Sequence, residues 1–91
     1  MEILADERPD KSQDLEGCVF NVSFDFSEGK ILCIGLKYIG GNPSNGRNYR
    51  FDHANIWKSE NDRPERVPIN EALDILRSHH LTLKDVKSYL R

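Results

Sequence analysis

Two runs of alternating apolar and polar residues constrain what this chain can fold into more than any other feature of its sequence. Between residues 18 and 26, an apolar residue recurs at every second position, which is the pattern of a strand with one buried face. A second β-rich run covers residues 30–39, and the tripeptide Ser27-Glu28-Gly29 separates the two runs. The pattern predicts an antiparallel hairpin.

The apolar positions also decide the register of this hairpin. With a two-residue turn, the leucine and isoleucine side chains of the second strand would lie on the opposite face from the phenylalanines of the first. A three-residue loop brings both sets to one face and puts Gly29 where the backbone must be left-handed. Because a one-residue slip exposes the whole apolar set of a strand, the longer loop is predicted. The expected pairs are Phe24 with Leu32, Val22 with Ile34, Phe20 with Leu36 and Cys18 with Tyr38.

A third strand is predicted from about residue 48 to residue 58, after a turn rich in glycine and asparagine at residues 40–46. If regular alternation holds along this strand, His53 and Trp57 share the buried face with Phe51. Asp52 and Ile56 then lie on the other face. The expected antiparallel pairs are Tyr49 with Tyr38, Phe51 with Leu36 and His53 with Ile34.

Two short helices are predicted near the C-terminal end, after a polar linker at residues 59–68 that contains two prolines. Apolar residues at 69, 72, 73 and 76 have the spacing of one helical stripe, with Asn70 as the expected N-cap and His79 near the end. Thr82 and Asp85 predict a capping box at the start of the second helix. Helices this short must pack on something. The predicted fold is therefore α+β: a three-stranded antiparallel β-meander packed on one face by two short C-terminal α-helices.

Charge and length predict one domain with an acidic tail. Residues 1–29 carry eight acidic and two basic side chains, whereas residues 30–91 carry seven acidic and eleven basic ones. We expect residues 1–16 to form an acidic, flexible N-terminal tail. Residues 17–91 are expected to form a single α+β domain, because 91 residues support one core of ordinary size. An alternative is that the tail folds across the exposed face of the sheet through Ile3 and Leu4.

The titratable residues do not predict an enzyme. Two cysteines without a CxxC motif and three histidines lack a metal-binding spacing, so neither a metal nor a cofactor is expected. Asp52 and His53 are adjacent, but neighbours on a regular strand point to opposite faces and would not form a couple. The cysteine content indicates a reducing compartment. Since the sequence shows neither a bilayer-spanning run nor the pattern of a secretory signal, the expected location is the cytoplasm.

The face of the sheet turned away from the predicted helices is the candidate site. It would mix apolar and charged side chains, which is typical of a surface that binds another protein. Lys37 and Arg50 would lie opposite each other there, an unfavourable pair of like charges that either Asp52, placed diagonally, or an acidic group from a partner would relieve. The predicted partner contacts are Ile31, Cys33, Lys37, Arg50, Asp52 and Ile56.

These features predict a small non-enzymatic protein-binding module that acts as an inhibitor, an immunity-type protein or a regulatory adaptor. Its partner is expected to be another protein or, through the same face, a second copy in a homodimer. The alternative is an RNA- or DNA-binding module, which a net charge of -2 disfavours. It would use basic residues around the 40–46 turn, namely Lys37, Arg47, Arg50 and Lys58. A third and weaker hypothesis is a small nuclease that uses His53 with Arg47 and Arg50.

Overall fold

The fold is a five-stranded antiparallel sheet with two helices against one of its faces. The structure, a computed structural model, describes residues 1–6, 16–27, 29–42, 46–58 and 63–90. Its elements are β1 (Glu2–Ala5), β2 (Val19–Asp25), β3 (Ile31–Asn42), β4 (Gly46–Trp57), β5 (Glu65–Val67), α1 (Ile69–Ser78) and α2 (Leu83–Ser88). The strands lie side by side in chain order. The α+β class, with an antiparallel sheet and two short helices, is confirmed.

The sheet has five strands where the sequence predicted three. β1 lies in the segment expected to be a flexible tail, and its Ile3 pairs with Phe24 of β2. β5 lies in the segment expected to be a linker loop, and its Val67 pairs with Ala54 of β4. Each added strand has four residues or fewer, which is too short to show a periodicity. Both form because the outer strands of the meander offer unpaired backbone groups along their edges.

The register that the apolar pattern predicts for β2 and β3 is confirmed. The pairing runs without interruption from Val19 opposite Lys37 to Asp25 opposite Ile31. Gly29 has the expected left-handed backbone, with a φ of 81°. The apolar pairs on the core face are Phe20–Leu36, Val22–Ile34 and Phe24–Leu32.

A β-bulge in β4 shifts its pairing with β3 between Leu36 and Gly35, and a second shift lies between Tyr38 and Gly41. Leu36 pairs with Phe51, as predicted. The neighbouring Gly35 pairs with His53, and Asp52 between these two pairs is an extra residue in β4. The bulge reverses the expected alternation of side chains for the rest of the strand.

Beyond the bulge, the sequence prediction for β4 is wrong. Ala54 and Ile56 were expected on the outer face but are buried in the core, and Ala54 rather than His53 pairs with Ile34. His53 and Trp57 were expected in the core and lie on the outer face instead, where Trp57 is 40% exposed. Regular alternation would have buried an imidazole and an amide in place of two aliphatic side chains. Such burial is costly without hydrogen-bond partners.

The two helices pack against the core face of the sheet, the face opposite His53 and Trp57. The Tyr49 hydroxyl donates to the carbonyl oxygen of Leu90 at 3.1 Å, which ties the end of the chain to β4. The imidazole of His79 stacks on Phe26 with ring centroids 3.7 Å apart. The buried helix-side residues are Ala72, Leu76, Val86 and Leu90, and those of the sheet layer are Val22, Phe24, Phe26, Leu32, Ile34, Leu36, Tyr49, Ala54, Ile56 and Val67.

One of the two predicted helix caps is confirmed. At α2, the Asp85 amide donates to the Thr82 hydroxyl at 3.3 Å and the Thr82 amide donates back to the Asp85 carboxylate at 2.8 Å. At α1, the predicted cap is wrong. Pro68 holds the N-cap position without a side-chain hydrogen bond, and Asn70 lies inside the first turn. Proline has the extended backbone that precedes a helix, so the helix begins one residue before its polar cap candidate.

We expect deletion of Asp52 to preserve the fold. In the shortened strand, Phe51, Ala54 and Ile56 fall on alternate positions, so regular pleating directs all three to the core without a bulge. The free energy of unfolding is expected to stay within about 2 kcal/mol of the original. Urea denaturation followed by circular dichroism measures it.

Deletion of Ser23 is the matched control, because β2 pairs with β3 without a bulge. Loss of one residue there turns either Val22 or Phe24 to water, and exposing a buried phenylalanine alone costs about 3 kcal/mol or more. We expect this variant to lose its cooperative unfolding transition. Equal tolerance of the two deletions would contradict the bulge as the origin of the β4 register.

Candidate functional site

The open face is the side of the sheet opposite α1 and α2. Within the described part of the chain, neither helix lies over it, because both pack against the core side. Its side chains come from all five strands and follow from the observed register. They are Glu2, Leu4, Val19, Asn21, Ser23, Asp25, Ile31, Cys33, Gly35, Lys37, Arg50, His53, Asn55, Trp57 and Arg66.

The sequence predicts the position of some of these side chains correctly. Ile31, Cys33, Lys37 and Arg50 lie on it, at positions that the confirmed β2–β3 register and the first part of β4 determine. Ile56 does not, because the bulge turns it into the core, where it pairs with Leu32 and is 8% exposed. Its expected position on the outer face is therefore wrong.

Trp57 and His53 belong to the open face, although regular alternation along β4 predicts them in the core. A signal of the bulge was present in the sequence: apolar residues occupy odd positions up to Phe51 and even positions from Ala54 to Ile56. Such a change of parity within one strand indicates an extra residue between the two sets.

Trp57 forms one wall of a shallow hollow at one end of the open face. The hollow has a volume of about 130 Å³. Leu4 and Ile31 supply further apolar surface, and the carboxylates of Glu2 and Asp25 stand at its edge. Leu4 is 65% exposed and Trp57 is 40% exposed, so both present their apolar surface to solvent. The full lining is Glu2, Leu4, Ser23, Asp25, Ile31 and Trp57.

The bulge also joins Asp52 and His53, which the sequence analysis expected on opposite faces. Nδ1 of His53 lies 2.7 Å from Oδ2 of Asp52, a distance at which a protonated Nδ1 donates to the carboxylate. The ring covers Gly35: a side chain there would place its Cβ 2.7 Å from Nδ1 and 2.9 Å from Nε2. Glycine at position 35 therefore provides the space in which the imidazole lies against the sheet.

The pKa of the Asp52 carboxyl is lowered. The hydrogen bond with His53 is the largest cause, and partial burial opposes it. The positive charges of His53, Lys37 and Arg66 lower the pKa further. Asp52 is therefore a local counter-charge for Lys37 of β3 and Arg66 of β5.

A second polar group, next to His53, holds β1 and β2 together across the middle of the face. The Asn21 amide donates to Oδ2 of Asp6 at 2.7 Å, and Nδ2 of Asn21 donates to the same oxygen at 3.3 Å. The Cys33 thiol lies 3.8 Å from Oδ1 of Asn21 and donates to it weakly. The polar centre thus separates the hollow at one end of the face from the basic residues at the other.

The residues of the nucleic-acid alternative do not form one patch. Lys37 and Arg50 pair directly. Lys58 follows Trp57 at the opposite end of β4, on the order of 20 Å away along the strand. The side chain of Arg47 lies outside the described residues. Among the residues that the structure describes, no three His, Cys, Asp or Glu side chains form a group that could hold a metal ion.

Comparison of the chain with protein-family models, with curated proteins and with solved structures finds no match in any of the three. In the described ranges, no helix has the length and apolar character needed to cross a membrane; α1, the longer of the two, has ten residues.

We expect Gly35→Ala to destabilise the protein through His53. The added methyl group meets the imidazole, so either the ring leaves its place beside Asp52 or the strands separate, at a cost of about 1–3 kcal/mol. In a His53→Ala background, the same change is expected to be neutral or slightly stabilising, since alanine restricts the unfolded chain more than glycine. A double-mutant cycle of urea denaturation measures the coupling. An equal cost in both backgrounds would show that His53 does not occupy this space.

We expect His53→Ala to raise the pKa of Asp52 toward its usual value, since the hydrogen bond that lowers it most is lost. Because the folded-state pKa of Asp52 lies below its unfolded value, its ionised form stabilises the fold above the unfolded pKa. That contribution disappears as the pH falls through the folded pKa, so the variant loses less stability on acidification. A carboxyl NMR titration of Asp52 measures the shift. Arg77→Ala, on the helix side, is the control, and an unmoved Asp52 titration in His53→Ala would contradict the assignment.

Proposed function

We propose that this chain is a small, non-enzymatic protein-binding module that acts by covering a partner's surface with its open face. An inhibitor, an immunity-type protein or a regulatory adaptor works in this way. The observation that carries the proposal is the position of Trp57, which is 40% exposed beside the apolar side chains of Leu4 and Ile31.

An exposed tryptophan in a strand favours binding over a purely structural role. Tryptophan buries a large area when it is covered, and it is enriched among the residues that dominate the binding energy of protein interfaces. The structure leaves Trp57 outside the core although Ala54 and Ile56 of the same strand are inside. The exposed part of its apolar surface is therefore available to a partner.

The surroundings of Trp57 resemble the rim of a protein interface. Glu2 and Asp25 border the hollow, and Lys37 and Arg50 lie at the far end of the same face. An apolar centre bordered by charged groups gives affinity through desolvation and orientation through charge. The apolar area is concentrated at the hollow, so the proposal differs from the sequence prediction in replacing Ile56 by Trp57 as a contact.

The polar centre supports a non-enzymatic role. Asp52 and His53 form the kind of couple that orients a general base, but such a base also needs a nucleophile or a substrate proton within reach. The thiol nearest to this centre in the described sheet, that of Cys33, donates to Asn21 instead. The imidazole covers Gly35. We therefore infer that the Asp52–His53 couple holds the β-bulge in its conformation.

One observation favours the nucleic-acid alternative: Lys37 and Arg50 are adjacent, and Arg66 lies on the same face. Trp57 could also stack on a base. The carboxylates of Glu2 and Asp25 beside it oppose this hypothesis, because they would repel a phosphate backbone. Protein binding is therefore the better-supported function.

We expect Trp57→Ala to weaken partner binding strongly without unfolding the protein. Partners captured from the native host are identified by mass spectrometry, purified, and titrated calorimetrically against each variant. Loss of a central tryptophan contact is expected to weaken binding at least about 30-fold, or about 2 kcal/mol.

Ile69→Ala is the matched control. Ile69 is also 40% exposed, but it lies at the start of α1 on the helix side. Its replacement is expected to change the affinity by less than about threefold. Equal effects of the two variants would show that the open face is not the binding surface. Salt-sensitive capture of RNA or DNA in place of protein would support the alternative instead.

A further inference from the structure

Two cross-strand pairs of like charge lie at opposite ends of the open face. Glu2 of β1 is directly opposite Asp25 of β2, and we call this pair the acidic corner. Lys37 of β3 is directly opposite Arg50 of β4, and we call this pair the basic corner. Like charges directly opposite each other destabilise an antiparallel pair of strands. The sheet therefore carries the same kind of unfavourable pair twice, once with each sign.

Neither corner forms an ion pair within the described part of the chain, although the charges of Asp52 and Lys37 attract each other at longer range. No side chain of the two pairs makes an ion pair there; the ion pairs that the structure shows join His53 to Asp52 and Arg77 to Asp74. Asp25 accepts a hydrogen bond from the Ser27 amide at 2.9 Å, which stabilises one carboxylate but adds no charge. Both corners thus lack an opposite charge at contact distance.

We propose that the partner of the open face is a second copy of this chain, docked face to face about a two-fold axis. The acidic corner of each copy then covers the basic corner of the other. This inference rests on the proposed function and names its partner. It satisfies the requirement of a two-fold interface, in which one surface must be complementary to itself.

The positions of the corners fit this symmetry. Asp25 pairs with Ile31, and Val19 pairs with Lys37, so the corners are six residues apart along β3, or about 20 Å. A two-fold axis parallel to the face and midway between the corners exchanges them. It passes near Cys33 and Gly35, where the polar centre carries Asp52 and His53 as an already paired couple. The charges that meet at the two ends are then opposite, twice in each dimer.

The hollow of one copy has the charge and the apolar surface to hold a basic side chain from the basic corner of the other copy. An arginine or lysine head group between the carboxylates of Glu2 and Asp25 forms charge-assisted hydrogen bonds. It also lies against the indole of Trp57, which attracts a cation through its ring face. The methylene stem of the same side chain covers Leu4 and Ile31. One residue, Arg50 or Lys37 of the second copy, therefore satisfies both the charge and the apolar surface of the hollow.

The size of the face predicts a weak dimer. The three central strands cover about 20 Å between the two corners, whereas β1 and β5 have only four and three residues. With strands about 4.8 Å apart, the face has an area below about 500 Å². A stable interface buries about 800 Å² on each partner. The dimer is therefore expected to exchange with monomer, to form as the protein concentration rises, and to weaken at high salt, because the corners are charged and at the edge.

A charge exchange between the corners tests this directly. Lys37→Glu with Arg50→Glu makes both corners acidic, and Glu2→Lys with Asp25→Lys makes both corners basic. Each variant repels its own copies at both contacts, whereas a mixture of the two variants restores an acidic corner opposite a basic corner at both. Sedimentation equilibrium measures the mass of each sample, and circular dichroism confirms that each variant is folded.

We expect the unaltered protein to move from monomer toward dimer with concentration. Each double variant alone is expected to dimerise at least about tenfold more weakly, and the equimolar mixture to associate within about threefold of the unaltered protein. Trp57 is the only tryptophan of the chain, so its fluorescence reports on the hollow. Acrylamide quenching is expected to fall as the dimer forms.

The control reverses two charges on the helix side. Arg77→Glu with Lys84→Glu changes the net charge as much as the first double variant does, and it is expected to leave dimerisation unchanged. The proposal is overturned if the unaltered protein stays monomeric at about 1 mM, if the control weakens the dimer equally, or if the mixture fails to associate. A monomer whose Trp57 is protected at every concentration would indicate cover by the same chain and overturns it as well.

Failure of this inference is distinguishable from failure of the proposed function. If the protein is monomeric but Trp57→Ala loses a purified partner of another sequence, the open face binds proteins and only the identity of the partner is wrong. If the charge exchange restores a dimer, the second copy is that partner.

Discussion

The extra residue in β4 governs both sides of the sheet. Asp52 has no partner in β3. After this extra residue, the side chains of β4 that would have faced solvent face the core, and the reverse. Ala54 and Ile56 reach the core for this reason, and Trp57 reaches solvent for the same reason. The gain in the core is the avoided burial of an imidazole and an amide, each of which would need a hydrogen-bond partner. A single backbone irregularity thus sets the composition of the core and of the candidate site together.

Three neighbouring residues stabilise the conformation of the bulge. Gly35 leaves space on β3, and the His53 ring fills it. Asp52, the residue that the bulge displaces, accepts the hydrogen bond that fixes this ring. The lowered pKa of Asp52 has the same cause and reports on the same contact.

The distribution of charge matters more for this surface than its sum. The chain has a net charge of -2, which disfavours a nucleic acid as partner but does not distinguish one protein partner from another. On the open face, the pairs Glu2–Asp25 and Lys37–Arg50 are separated along the strands, with the couple of Asp52 and His53 between them. Under the proposed function, charges arranged in this way would steer a partner and fix its orientation, and the hollow would supply the apolar contribution.

The sequence by itself determined the class of the fold, the β2–β3 register, and the capping box of Thr82 and Asp85, because alternation, turn geometry and capping are local or pairwise properties. It therefore also placed Ile31, Cys33, Lys37 and Arg50 on the open face. Only the tertiary structure decided that β1 and β5 exist, since strands of three or four residues form on an edge that other residues provide. It likewise decided the positions of Ile56 and Trp57, because where a strand bulges depends on which side chains the whole core can bury.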